Sequence, residues 1–168
     1  MANITDIERL NYYEGEYLGA VDFEAEQEYH RDTRRRHNVG QHTWGIVAGL
    51  SLAQIDNGAG AGQVDVSLMP GMAIDAFGRE IVVLSSTQIT QDLFAPYYDA
   101  NSAAVPKVMY LWMVYDEQMA KASAQACSTS TANAFGRVVE SYRLVVTPTA
   151  ASPVNDTILV DGVSLSPP

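Results

Sequence analysis

The chain is short of the side chains that bind metals or act as nucleophiles. Its 168 residues include one cysteine, Cys127, and three histidines, so an intramolecular disulfide and a cysteine-rich zinc site are excluded. In a helix, His30 and His37 would stand about 10 Å apart, which is too far for both to bind one zinc ion. The sequence also lacks a nucleophile elbow, a phosphate loop and a dinucleotide fingerprint. We therefore predict a non-enzymatic protein with no catalytic residues, no cofactor and no metal.

Basic charge and long apolar runs are also scarce. Lys and Arg number 10 against 20 Asp and Glu, a net charge of −10. This balance argues against nucleic acid or an anionic membrane as the main partner, because either needs a basic surface. The best apolar run, at 108–115, has the length of a strand, and the N-terminus lacks the apolar core of a signal peptide. We expect synthesis in the cytoplasm without a signal peptide, and only indirect contact with a membrane.

What the chain does have is one strongly charged segment near its N-terminus. Residues 22–40 read DFEAEQEYHRDTRRRHNVG, with acids first and four arginines after them. Asp22 is the expected N-cap, the order of charges suits the helix dipole, and Asn38 and Gly40 are expected to end the helix. A helix that is polar all round is either a solvated surface or a partner-facing element built from ion pairs. Both interpretations remain open at this point.

The rest of the chain is typical of β-structure. Alternating β-prone residues predict a hairpin built from 72–75 and 79–84, and strands at 45–55, 63–69, 107–117, 135–148 and after Pro153. The strand at 107–117 is apolar on both faces and should be central. The predicted fold class is mainly β (α+β), with one long polar N-terminal helix followed by an antiparallel β-sandwich or barrel-like domain. The predicted boundaries are an N-terminal arm at 1–21, the charged helix at 22–40 and the β domain at 41–168.

Several motifs follow one another in residues 10–83. They are, in chain order, an aromatic-Gly arm (Tyr13, Gly15), Asp22-Phe23, Tyr29-His30 with Arg34 to Arg36, His42-Thr43-Trp44-Gly45, and a hairpin from Pro70-Gly71 through Asp75 and Gly78-Arg79-Glu80. This order resembles a domain found in gene clusters of phage-tail-like contractile injection systems. The hairpin also resembles modules of phage tail-fibre and baseplate proteins. The resemblance implies a structural component at the baseplate or its peripheral attachments, and supplies no catalytic residues.

The resemblance also implies how the chain is used. Baseplate parts follow rotational symmetry, so a homotrimer or ring is expected, within a particle that is released or membrane-docked. The implied partners are baseplate, spike or fibre subunits. The charged helix is then interpreted as an assembly element, and the expected interface consists of Tyr12, Tyr13, Tyr17, Phe23, Glu28, Tyr29, Arg31, Arg34, Arg35, Arg36 and Trp44. The residues expected at the hairpin turn are Pro70, Gly71, Asp75, Gly78, Arg79 and Glu80.

The residues leave open an alternative of a different class, a carbohydrate- or surface-binding lectin-like β domain. In the segment APYYDAN, exposed Tyr97 and Tyr98 would stack on a sugar ring, and Asp99 and Asn101 would hydrogen-bond its hydroxyls. An aromatic-capped turn is the simpler interpretation of that segment. Co-purification with particle proteins favours the structural role, whereas enrichment on a glycan favours the lectin-like one.

Overall fold

The computed structural model describes residues 7–56, 64–97, 108–122, 135–150 and 157–164. Within these ranges the chain forms one α-helix, nine β-strands and two short 3-10 helices, which confirms a mainly β protein with one long helix near its N-terminus. The elements are, in chain order, α1 (Ala20–Gln41), β1 (Gly45–Gly49), β2 (Leu52–Asp56), β3 (Val64–Leu68), β4 (Gly71–Ile74), β5 (Glu80–Val83), β6 (Thr87–Ile89), β7 (Val108–Ala122), β8 (Phe135–Thr147) and β9 (Thr157–Ser164), with the 3-10 helices at Gln91–Leu93 and Ala95–Tyr97.

The strands form three antiparallel sheets of three strands each, in the orders β1-β4-β5, β2-β3-β6 and β8-β7-β9. The long strand β7 lies between β8 and β9, as its apolar residues predicted. Neighbours Met113 and Val114 point to opposite faces of β7, and both are buried. Both faces of β7 are therefore covered in this part of the strand.

One hydrophobic core joins the three sheets. Its buried side chains come from strands of every sheet, so the described part of the chain packs as one unit. Burying a large aliphatic or aromatic side chain stabilises the fold by about 1.5–3 kcal/mol. The core residues are Leu50, Leu68, Ala73, Ile81, Val83, Ile89, Phe94, Met109, Leu111, Met113, Tyr115, Val146 and Ile158.

The apolar segment predicted as strand at 45–55 is divided between two sheets. Leu50 has a φ of 57°, a left-handed conformation that is rare for a bulky residue, and it separates β1 from β2. Gly49 before it also has a positive φ, and a Cβ there would lie 2.2 Å from the carbonyl oxygen of Pro70. The Leu50 side chain is 1% exposed, so the bend carries it into the core. Close approach of the backbone at Pro70 therefore turns the chain from one sheet into the next.

Both ends of α1 differ from the prediction. Asp22 is not the N-cap: Gly19 is, and the Asp22 carboxylate accepts the N–H of Gly19 at 2.8 Å from the first turn of the helix. At the other end the helix continues past Asn38 and Gly40 to Gln41, because Asn38 is used in a tertiary contact. Its last turn consequently contains no basic residue, so the dipole argument for the arginines is wrong. Within the described ranges, no helix is long and apolar enough to cross a membrane.

Candidate functional site

The charged helix is attached to the β domain through one buried residue. All residues of α1 are described, and Asn38, at 6% exposure, is the only one that is buried. Its Nδ2 donates to the carbonyl oxygen of Gly78 at 3.0 Å and to Oε1 of Glu80 at 3.1 Å. A buried amide must keep its hydrogen bonds, because an unsatisfied one costs about 1–3 kcal/mol. The two bonds therefore fix where the C-terminal half of the helix meets the β4–β5 hairpin.

The hairpin turn is built around a buried carboxylate. Asp75 is 0% exposed and accepts the backbone N–H groups of Phe77 and Arg79, each at 2.9 Å. It also accepts the Nε–H of Arg79, so the buried charge is paired as well as hydrogen-bonded. Gly78 has a φ of +78°, and a Cβ there would lie 2.3 Å from the carbonyl oxygen of Arg35 on α1. The turn thus needs glycine both for its conformation and for the close approach of the helix backbone.

Two of the predicted interface arginines contact their own β domain. Arg34 lies 3.6 Å from the Glu80 carboxylate, and Arg35 lies 3.9 Å from the Glu117 carboxylate on β7. These pairs are long and partly exposed, and such pairs typically contribute only about 0–1 kcal/mol. They supplement the Asn38 contact rather than replace it. Asn38 was missed as a docking residue because an asparagine near a glycine is locally a helix-stop signal.

Two aromatic rings lie near the Asp75–Arg79 ion pair at the turn. The Arg79 guanidinium lies 4.7 Å from the ring centre of Tyr115 and 5.1 Å from that of Phe77. The Tyr115 hydroxyl donates to Oε1 of Glu117 at 2.7 Å. Burial, and then this hydrogen bond, raise the pKa of Tyr115 above its ordinary value. An adjacent partly open pocket of about 30 Å³ is lined by residues of this cluster and of α1.

The N-terminal arm lies against the first half of α1 and contains a tight turn. Tyr12 hydrogen-bonds to Glu26 of the helix, which raises the pKa of Tyr12 to about 12. The Glu16 N–H donates to the carbonyl oxygen of Tyr13 at 3.2 Å, and Gly15 has the positive φ that such a turn requires. The side chains that flank this turn project outward, with Tyr13 66% and Tyr17 94% exposed. We call residues 13–17 the arm tip.

A groove of about 500 Å³ follows the second half of α1. Val39 and Phe77 give it apolar surface, and each is 57% exposed. Arg36 donates to Oγ1 of Thr33 at 3.0 Å and forms no ion pair with any residue of the described ranges. The groove therefore combines exposed apolar surface with a cation that has no acidic partner in the described chain. We call it the helix groove; its lining residues are Asp32, Arg35, Arg36, Val39, Gly40 and Phe77.

The remaining predicted site residues are distributed over the surface. Phe23 and Trp44 are 51% and 65% exposed, and Tyr29 is partly buried, with its ring centre 5.5 Å from that of His30. Glu28 and Arg31 are exposed and form no ion pair with described residues. At the end of the hairpin away from the turn, Pro70 is exposed and Gly71 opens β4. The structure therefore joins the second half of α1 to the hairpin turn and leaves Phe23 and Trp44 open to solvent.

The segment considered for sugar binding is only partly described. Tyr98, Asp99 and Asn101 lie outside the described residues, as does Cys127. Tyr97 is partly buried, and its hydroxyl donates to the carbonyl oxygen of Val146 at 2.9 Å. This contact gives Tyr97 a packing role against β8.

Metal chemistry has no support in the side chains that are described. No group of three or more His, Cys, Asp or Glu residues within those ranges is placed to hold a metal ion.

Comparison with known proteins adds no assignment. No family model matches the chain, and a search of curated proteins gives no significant match.

Proposed function

We propose that this chain is a non-enzymatic structural subunit of a contractile, phage-tail-like particle, at the baseplate or its peripheral attachment structures. The motif order at residues 10–83 supports the class of particle. The attachment of α1 supports an assembly role: a 22-residue helix buries only Asn38. Isolated helices are marginally stable in water, and most helices in proteins are stabilised by burying one face. A helix with so little burial in its own chain is suited to burial by a neighbour.

The apolar side chains of the arm and of the first helical turn support the same proposal. Large exposed apolar clusters on soluble proteins commonly mark sites of protein–protein contact. Here they lie close together in the chain, next to the acidic half of α1, and solvent reaches at least half of each side chain. They are Ile7 at 69%, Tyr13 at 66%, Tyr17 at 94%, Val21 at 75% and Phe23 at 51% exposure.

The proposed interface is narrower than the full set of charged helix residues. Arg34 and Arg35 reach acids of their own β domain, whereas Arg31 and Arg36 have no acidic partner among the described residues. We therefore place the intermolecular contact on the arm, Phe23 and the outer side of the helix. Other subunits of the particle and further copies of this chain are the proposed partners, and a homotrimer remains the expected symmetry.

Affinity purification from the cells that make the protein tests this function. A tagged chain should co-purify with sheath, tube and baseplate proteins, and electron microscopy should show tube-and-sheath particles. The variant Tyr17→Ser/Phe23→Ser should fold but be lost from those particles. Leu84→Ser is the matched control, because Leu84 is 88% exposed on the β domain and should remain dispensable. Recovery of the chain without particle proteins, or its enrichment on a glycan instead, contradicts the proposal.

A further inference from the structure

The arm tip and the helix groove have complementary chemistry. The tip carries two exposed tyrosines, Tyr13 and Tyr17, on either side of the acidic Glu14. The groove offers exposed apolar side chains together with Arg36, which lacks an acidic partner among the described residues. Tyrosine and arginine are the side chains enriched at protein interfaces, and a tyrosine ring packs well against apolar atoms and guanidinium groups. The groove lining also includes Asp32, which lies 4.0 Å from Arg35, so the charge complementary to Glu14 is that of Arg36.

The tip cannot reach the groove of its own chain in the observed fold. Tyr17 lies just before α1, and the Tyr12–Glu26 hydrogen bond holds the arm along the first half of the helix. At 1.5 Å per residue, Arg36 lies about 24 Å from Ala20 along the helix axis. The contact must therefore form between two molecules.

We propose that the arm tip of one copy docks in the helix groove of a second copy. The Glu14 carboxylate then faces Arg36, and the rings of Tyr13 and Tyr17 pack against Val39 and Phe77. The hydrogen-bonded turn presents the tip in an ordered conformation, which lowers the entropy lost on binding. The proposal identifies one contact within the assembly role proposed above, and it rests on that role.

This contact joins two different surfaces, so it is head-to-tail. Every open oligomer keeps one free tip and one free groove until a ring closes, and such interfaces generate closed rings or open filaments. A trimer or a larger ring satisfies the contact, and so does a two-fold dimer in which each tip enters the other copy's groove.

Mixing two defective variants tests the arrangement. Tyr13→Ser/Tyr17→Ser removes the tip, and Arg36→Glu/Val39→Asp spoils the groove. By sedimentation velocity at high micromolar concentration, we expect the wild type to associate and each variant alone to remain monomeric. An equimolar mixture should give a heterodimer that grows no further. The pair contains only one intact tip and one intact groove, and these two occupy each other. Leu84→Ser is the matched control; Leu84 is 88% exposed on the β domain, outside both the tip and the groove, and the variant should associate like the wild type.

A charge exchange provides a second test, in which each variant changes one exposed residue. Glu14→Arg and Arg36→Glu should each weaken self-association at least about tenfold, because each places like charges together. Mixing these two variants should restore association at both contacts between unlike copies. The arginine introduced in one tip faces the glutamate introduced in the other copy's groove, and the reverse contact keeps the native Glu14 and Arg36. Circular dichroism of every variant should match the wild type.

The outcomes separate this contact from the broader function. A monomeric wild type, variants that still associate, or a mixture that stays monomeric would each overturn tip-in-groove docking. None of these results decides whether the chain co-purifies with particle proteins, so the assembly role stands or falls by its own experiment.

Discussion

Replacing Gly78 with alanine tests how α1 is held on the β domain. Gly78 has a φ of +78°, and its Cβ would lie 2.3 Å from the Arg35 carbonyl oxygen, a backbone atom. The left-handed conformation costs an alanine about 1–2 kcal/mol. Release of α1 is the easiest relief of the clash, and it breaks the two Asn38 hydrogen bonds, about 0.5–1.5 kcal/mol each. We expect the free energy of unfolding to fall by about 2–5 kcal/mol, the sum of these two contributions.

Urea denaturation followed by tryptophan fluorescence measures this change. Asn38→Ala removes the same hydrogen bonds without the clash, so the double variant should lose less than the sum of the two single losses. Gly15→Ala is the control for conformation alone, because Gly15 has a φ of +87° and its Cβ would meet no described atom within 4 Å. A Gly78→Ala protein within about 0.5 kcal/mol of the wild type, or strictly additive losses, would refute the docking described for α1.

The remaining predictions concern the turn, the arginines and alkaline pH. Asp75→Asn should lower the free energy of unfolding by about 1.5–3 kcal/mol, because the buried carboxylate loses the charge that strengthens its hydrogen bond from Arg79; urea denaturation with no loss would argue against it. Arg34→Ala should lower the melting temperature slightly and Arg36→Ala should leave it unchanged, because Arg34 pairs with Glu80 of the β domain whereas Arg36 bonds only to Thr33 of its own helix among the described residues. Equal effects of the two variants would contradict this difference between the arginines. The pKa of Tyr115 is higher in the folded protein than its ordinary value of 10.0. The protonated Tyr115 hydroxyl therefore contributes fully to stability below pH 10.0, and this contribution is lost as the pH rises above that value. Tyr115→Phe should therefore show a smaller alkaline loss of stability than the wild type in denaturation curves measured on both sides of that pH.

Local sequence patterns were sufficient where the structure depends on local chemistry. The run at 107–117 has apolar residues on both faces of the strand, and β7 is central for that reason. Asp75, Gly78 and Arg79 have the composition of a tight turn, and the turn is closed by hydrogen bonds among near neighbours. The charged segment also predicted a helix with little apolar surface, and α1 buries only Asn38.

Local patterns failed where a distant part of the chain decides the outcome. The break at Leu50 depends on the approach of Gly49 to Pro70, and nothing within 45–55 indicates that contact. Asn38 is followed by Gly40 and has the local signature of a helix end, yet its bonds to the hairpin carry the helix one turn further. Alternation and capping rules describe near neighbours, so neither can identify these contacts.

The central claim is that a partner subunit covers the arm and α1 when the protein is assembled. Hydrogen exchange measured by mass spectrometry tests it most directly, by comparing the dilute chain, the concentrated chain and the chain in purified particles. A helix with one buried residue should exchange rapidly in the dilute protein, because its backbone hydrogen bonds open readily. We predict that protection in residues 13–40 rises with concentration and is greatest in the particle, while protection of β7 stays constant. Equal exchange of residues 13–40 under all three conditions would contradict the claim and identify α1 as a solvated surface helix.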